Sequence, residues 1–493
     1  MLTLADALGL AAADTPDRVL IVDGPHRLDC RTLHDRASEL AHVLLSRMPV
    51  GSVVSFMLPN WHEAAVIYLG ATLAGMVVNP ILPSLREHEL SYLLADCDSR
   101  MIFIPSDFRG HDYPAMLATV CAQLETPPEV VVVRGDGPWP STTSTGQLPA
   151  LDPDAVRMIL YTSGTSGSPK GVLHSHRSID ALIGQLHQHW LIEPGDTFLV
   201  PSPIAHIGGS IYAFECPLIL GTTAILMDQW AAAEAVALMT AHRCTHMAGA
   251  TPFLVGLLDA AEQAQTRLPD LKVFICGGAS VSPQLIRSAT AYFDNAIVTR
   301  VYGSTEVPVT TIGAPEDPDR AADTDGRPGI AAVKLVDGEI RAKGPQMLLG
   351  YLHPENNAFD EDGYFRTGDL GRFDTKGNLI ITGRLKDVII RKGENISAKE
   401  LEDLLFQHPK VGDVAVVGLP DPSSGERACA VVQTAAGAEP IGFDEMVAFL
   451  KDAGLMVQKL PEQLELLDTI PRNASGKVLK HVLREQFGDP GRP

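Results

Sequence analysis

Short apolar runs alternate with helical patterns over the first 130 residues. GSVVSFM (51–57) and MIFI (101–104) have the density of buried strands, and the alternation predicts α/β layering. Three later runs share one plan, each a largely apolar strand opening into a loop of small polar residues. AVRMILY (155–161) leads into TSGTSGSPKG, LKVFIC (271–276) into GGAS, and AIVTRVY (296–302) into GSTE. Such runs suit strands covered on both faces, and ligands of such sheets gather at the carboxyl ends of the strands. The pattern predicts one composite site built from three loops.

Residues 134–154 are rich in Pro, Gly, Ser and Thr and read as a surface connection. Beyond residue 330 the texture changes. LVDGEI and FDTKGNLIIT read as hairpins with turns at Asp337-Gly338 and Lys376-Gly377-Asn378. Ser397 and Glu400 have capping-box spacing, opening a short helix with Leu401, Leu404 and Leu405 inward and a stop before Pro409. Strands VGDVAVVGL (411–419) and ACAVVQTA (428–435) and a helix over 443–453 follow. These predict a large domain over 1–385 and a small α+β domain over 386–493.

Charge and cysteine usage narrow the class. With 39 Lys and Arg against 60 Asp and Glu, the net charge of −21 excludes a surface built to track nucleic acid or anionic lipid. An anionic ligand must then be held by local N–H groups and a few placed cations. Seven dispersed cysteines without a CxxC read as reduced thiols of a cytoplasmic protein. MLTLADALGLAAADTPDR lacks a basic leader and is broken by Asp6 and Asp14, so it does not read as a signal peptide. No apolar run is long enough to span a bilayer.

The richest candidate chemistry lies in YTSGTSGSPKGV (161–172). It is not a Walker A loop, because Lys170 follows Pro169 and precedes Gly171. Gly164, Gly167 and Gly171 let backbone N–H groups turn inward as an anion nest, and Thr162, Ser163, Thr165 and Ser166 add hydroxyl donors. His174-x-His176 has no Cys, Asp or Glu placed to complete a metal set and reads as the start of a helix. HExxH and GxSxG are absent, which removes zincin and serine-hydrolase readings.

Taken in order, YTSGTSGSPKGV, VYGSTEV (301–307), YFRTGDL (364–370), GRLKDVIIRKGENISAKELE (383–402) and PRNASGKVLK (471–480) resemble the adenylate-forming superfamily of acyl-CoA synthetases, peptide-synthetase adenylation domains and firefly-type luciferases. The resemblance covers residues 15–484. Its one departure in the first motif is Ser166, where the family more often has Thr. It implies an α/β fold with a large N-terminal domain and a small mobile C-terminal one, and the substrates ATP, a carboxylic acid and coenzyme A, with Mg²⁺. The carboxylate attacks the α-phosphorus of ATP and expels pyrophosphate, and a thiol then displaces AMP.

The resemblance also assigns residues. The opening loop, with Lys170, wraps the β- and γ-phosphates. Glu306 positions Mg²⁺ and Thr305 donates to the α-phosphate. Tyr302 and Gly303 border the adenine, with Gly277, Gly278 and Ala279 as the opposite wall. Asp369 takes the ribose hydroxyls, Arg384 the ribose and phosphate side. Lys477 is the catalytic lysine between carboxylate and α-phosphate. Lys386 marks the hinge about which the small domain swings, and the loop with Lys392, Gly393 and Glu394 serves the thiol half-reaction.

The acid pocket matches PIAHIGGS (203–210), with His206, Ile207 and Gly208, together with Ser280. Amino-acid-activating relatives carry an Asp at the place of His206, so an amino-acid substrate is disfavoured. His206 reads equally as a border of the carboxylate, a gate, or a plain loop histidine. The small residues suggest an apolar cavity for an aliphatic, alicyclic or small aromatic acid, and GATPFL (249–254) with GGASVSPQLI (277–286) is similar to bacterial medium-chain or cyclic-acid CoA ligases. The nearest alternative loads a carrier protein's phosphopantetheine. An oxidative, luciferase-like use of the adenylate and a non-catalytic nucleotide-binding scaffold are more remote. The resemblance also admits a homodimer.

Overall fold

The computed structural model describes residues 3–143, 146–162, 169–278, 281–313, 317–392, 394–472 and 477–488. Two large sheets dominate the first three-quarters of the chain. One runs, edge to edge, Arg327–Pro328, Thr311–Ile312, Ile297–Tyr302, Val273–Gly277, His246–Gly249, Thr197–Val200, Thr223–Leu226, Val19–Asp23 and His26–Asp29. Its strands from Ile297–Tyr302 to Val19–Asp23 are all parallel. The other runs Gly350–Tyr351, Lys170–Ser175, Val156–Thr162, Val77–Pro80, Val53–Phe56, Ser99–Pro105 and Glu129–Val133.

The helix His62–Leu73 explains how the sheets share a core. Every one of its residues is buried, as a helix apolar on all sides requires. It belongs to one continuous cluster that takes in Val54, Phe56 and Met158 of one sheet and Phe198, Val200 and Ile275 of the other. A second cluster, with Leu254, Leu257 and Phe274, closes the far face of the first sheet. Both faces are therefore covered, as the unbroken apolar runs predict.

The three strand-to-loop segments do not share a sheet: Val273–Gly277 and Ile297–Tyr302 are neighbours in the first, whereas Val156–Thr162 lies in the second. Val156–Thr162 pairs antiparallel with Lys170–Ser175, Thr162 opposite Lys170, so these two strands flank the glycine-rich segment. Apolarity reports burial on both faces and is silent on strand direction.

Beyond residue 330, four antiparallel strands (Ala332–Val336, Glu339–Lys343, Phe365–Phe373, Leu379–Arg384) form both expected hairpins. The last sheet contains Glu394–Ser397, Val388–Arg391, Gly425–Thr434, Val411–Asp421 and Gln463–Leu466. The helices Ala398–Leu405 and Phe443–Asp452 cover it through Leu401, Leu405, Met446 and Leu450. Ser397 accepts from the Glu400 N–H at 3.2 Å, giving the expected cap. The reciprocal half of the box is replaced: the Glu400 carboxylate pairs with Lys459 at 2.6 Å. No helix among the described residues is long and apolar enough to cross a membrane.

Candidate active site

The two flanks of the glycine-rich segment are held firmly. Tyr161 donates to Asp96 at 2.7 Å, and Tyr92 donates to the Pro169 carbonyl at 3.2 Å. Thr162 and Lys170 are half-buried at the mouth of the hairpin. Ser163, Gly164, Thr165, Ser166 and Gly167 lie outside the described residues, as do Ala279, Ser280 and Gly393.

Opposite this hairpin, strand Ile297–Tyr302 delivers the GSTE loop. Gly303 allows a close approach there: a Cβ on it would meet the Val309 nitrogen at 2.5 Å. The loop is braced by the hairpin itself. His174, at the end of Lys170–Ser175, bonds through Nε2 to the Thr305 carbonyl at 2.7 Å and through Nδ1 to Ser178 at 3.2 Å. Burial pushes the His174 imidazole down to about 4, so at neutral pH it is uncharged. The Leu348 N–H donates to the Glu306 carbonyl at 2.7 Å, and the Tyr351 hydroxyl donates to the Glu306 carboxylate at 2.8 Å. Among the described residues Glu306 makes no ion pair. One carboxylate without an ion-pair partner among the described residues is a donor set that fits Mg²⁺, which is commonly held by one or two carboxylates plus substrate phosphates.

Asp369 and Arg384 face each other across two antiparallel strands and pair at 2.9 Å. The other Asp369 oxygen accepts from the Tyr302 hydroxyl at 2.8 Å. Tyr302 is buried, its ring packed with Ile340 and Leu379, so the hydroxyl of this strand-end aromatic serves the carboxylate.

The chain's tail reaches the same place. Arg472 and Val478 form an antiparallel bridge, the Leu479 N–H donates to the Pro471 carbonyl at 2.9 Å, and Arg472 clamps Asp413 at 2.7 Å. These contacts fix the chain on both sides of residues 473–476 and so place Lys477. Burial, and then the positive charges of Arg384 and Lys386, push the Lys477 ammonium down to about 8, against the opposing pull of Asp369 and Asp387. The three strand-end and tail elements carrying Asp369, Arg384 and Lys477 thus share one electrostatic environment. Lys386 sits in the single turn Leu385–Asp387, whose Asp387 pairs with Arg484 of the terminal helix at 2.8 Å. Lys392 takes a left-handed conformation at the tip of the hairpin Val388–Arg391/Glu394–Ser397, with Glu394 exposed. That tip lies on the strand pair following Lys386.

His206 precedes the short helix Ile207–Ser210, which runs on as a five-residue π-helix, Ile211–Glu215. Gly209 is required by space: a Cβ would meet the Pro203 carbonyl oxygen at 2.2 Å. Burial pushes His206 down to about 4, and its Nε2 is buried without a hydrogen-bond partner among the described residues. Beneath, Arg157 and Glu215 form a fully buried ion pair at 2.5 Å, joined by the Tyr68 hydroxyl. Arg157 lies on Val156–Thr162, so this pair ties the π-helix to the strand that leads into the glycine-rich segment. Sequence reading passed over Tyr68, Arg157, Glu215, His174 and Tyr351 in these roles.

A separate cluster, Asp23, His62 and Glu63, has metal-like spacing. Arg134 donates to Asp23 at 2.7 Å and Glu63 at 2.8 Å and stacks on Trp61, so both carboxylates already have a cationic partner.

With this geometry in place, comparison with known proteins is direct. The chain belongs to the AMP-binding enzyme family, which matches residues 9–352, and the AMP-binding enzyme C-terminal domain matches residues 400–477. It is 34% identical to the medium-chain fatty-acid–CoA ligase of Escherichia coli, over 98% of this chain and 90% of that one. It is 31% identical to a propanoyl:CoA ligase of Rhodococcus jostii that acts on a methyl-dioxo-octahydroindenyl acid, over 98% of each. Among solved structures it is similar to MatB from Rhodopseudomonas palustris, 28% identical over 99% of this chain and 100% of that one. The TM-score is 0.88 with ATP bound and 0.77 in the apo form. The arrangement seen here is the nearer to the ATP-bound one.

Proposed function

We propose that this protein is an ATP-dependent acid–thiol ligase, converting a carboxylic acid to its acyl-adenylate with release of pyrophosphate and passing the acyl group to coenzyme A. The observation that carries the reading is the arrival of Lys477, from the tail, in the surroundings of Asp369 and Arg384. An acid and a triphosphate repel one another, and a placed ammonium offsets charge where it develops during attack. The glycine-rich segment from Thr162 to Lys170 holds the phosphates, and Thr305 donates to the α-phosphate. Asp369 accepts from the ribose, Arg384 binds beside it, and Gly277, Gly278, Tyr302 and Gly303 border the base. Mg²⁺, held by Glu306, supplies charge neutralisation of the phosphate chain.

His206, Ile207 and Gly208 border the acid. The neutral, desolvated His206 and the absence of an acidic side chain there favour a medium-chain aliphatic, alicyclic or small aromatic acid over an amino acid. We place the domain boundary at 385/386, with Lys386 as the hinge that exchanges Lys477 for the Lys392–Glu394 tip between half-reactions. The dispersed, unpaired cysteines support a cytoplasmic setting. Assembly as a homodimer is read directly by light scattering.

The deciding experiment is a pyrophosphate-release screen over a panel of carboxylic acids, followed by thioester assays with free coenzyme A and with a phosphopantetheinylated carrier. Release with a subset of apolar acids, and thioester on free coenzyme A, is expected. Silence with every acid rejects the ligase reading, and thioester on the carrier alone rejects coenzyme A as acceptor.

A further inference from the structure

Lys170 and Glu306 carry opposite charges in one site, yet among the described residues neither is engaged in an ion pair. Tyr351 stands between them. Its strand, Gly350–Tyr351, pairs antiparallel with Lys170–Ser175, with Tyr351 opposite Val172. Residues two apart on a strand share a face, so Tyr351 is a diagonal neighbour of Lys170. The Lys170 ammonium lies 5.5 Å from the Tyr351 ring centroid, within cation–π range. The hydroxyl donates to Glu306 at 2.8 Å.

We propose that Tyr351 is a positioning residue that keeps Lys170 and Glu306 apart and turns both charges toward the phosphate chain. The inference rests on the reading of Glu306 as the carboxylate for Mg²⁺. Were the two side chains to meet, their salt bridge would neutralise the groups the phosphates and the cation need. A tyrosine meets both demands without adding charge: its face takes the ammonium and its hydroxyl takes one carboxylate lone pair, leaving the others open. The ring is anchored for this. Tyr351 is buried beside Phe365, its N–H donates to Asn357 at 2.8 Å, and Leu348 of the same segment holds the Glu306 backbone.

Binding of Mn²⁺–ATP, followed by electron paramagnetic resonance without turnover, tests this on the intact protein. A sulfamoyl analogue of the acyl-adenylate, which lacks the β- and γ-phosphates and the metal, is the control ligand. Tyr351→Phe should weaken Mn²⁺–ATP about tenfold, the loss of one hydrogen bond to a charged group, and leave the analogue unchanged. Tyr351→Leu, which frees Lys170 to pair with Glu306, should weaken Mn²⁺–ATP further. An unchanged Mn²⁺–ATP affinity in Tyr351→Phe, or an equal loss with the analogue, overturns the proposal. Tyr351→Phe keeps the packed ring and decides the matter even if Tyr351→Leu fails to fold. Glu306→Gln separates the two layers: if it binds Mn²⁺–ATP like the parent, the metal reading falls first. If it binds poorly while Tyr351→Phe does not, only the role of Tyr351 falls.

Discussion

Lys477 has a sharply testable chemistry because its ammonium is shifted into the working pH range. Its value of about 8 stands below the ordinary lysine 10.5. The charged form is lost as pH rises through about 8, so kcat/KM for adenylation by the free enzyme should descend above that pH. Lys477→Arg, which stays charged, should abolish that descending limb even at a lower rate. Pyrophosphate release against pH between 6 and 10 checks this, and an identical limb in the arginine variant would assign the titration elsewhere. Lys477→Ala should slow adenylation by about 10²–10³-fold, the scale seen for removing one electrostatic stabiliser. Thioester formation from supplied acyl-adenylate should survive it. His174 is the contrasting case. The spacing His174-x-His176 marks the start of a helix, and Ser175 does cap one, but nothing local reveals that His174 holds a carbonyl 131 residues away. His174→Leu leaves the Thr305 carbonyl unpaired, a loss of about 1–3 kcal/mol. It should appear as a raised KM for ATP at unchanged KM for the acid.

The elements of this fold were largely legible because their patterns are strong. Both late hairpins, the Ser397 cap and the strands leading to GGAS and GSTE follow from turn residues and apolar runs. What stayed hidden was pairing. The glycine-rich segment reads as an anion loop from its composition, yet whether a helix or an antiparallel strand follows depends on partners such as Val77–Pro80 and Gly350–Tyr351. The π-helix Ile211–Glu215 is equally invisible, since nothing local marks Glu215 as the buried partner of Arg157. Removing one member of that buried pair leaves an uncompensated charge, at a cost of about 3–5 kcal/mol. Glu215→Leu should therefore lower the urea midpoint strongly, and Arg157→Met combined with it should recover most of the loss. A double variant no better than the single one would show that the pair is not coupled.

At the scale of the molecule, the resemblance in five ordered motifs foretold that loops far apart in sequence would converge, and the two sheets explain how. The hairpin comes from one sheet and the GSTE loop from the other, with the tail closing over Asp369 and Arg384. If the small domain turns about Lys386 between half-reactions, Lys386→Pro should leave pyrophosphate release near normal while thioester formation falls by an order of magnitude or more. Proline fixes φ at that one position. Rapid-quench measurement of each half-reaction separates the two, and a parallel fall in both would mean that no such turn is needed.

The Asp369 carboxylate adds a last point. One oxygen is occupied by Arg384 and the other by Tyr302 before any nucleotide arrives. Each oxygen keeps a further lone pair, so a ribose hydroxyl docks beside bonds already made, on a carboxylate already fixed in place. On the reading given above, AMP is a leaving product of every cycle, and a seat braced from within stands ready for the next nucleotide without being rebuilt.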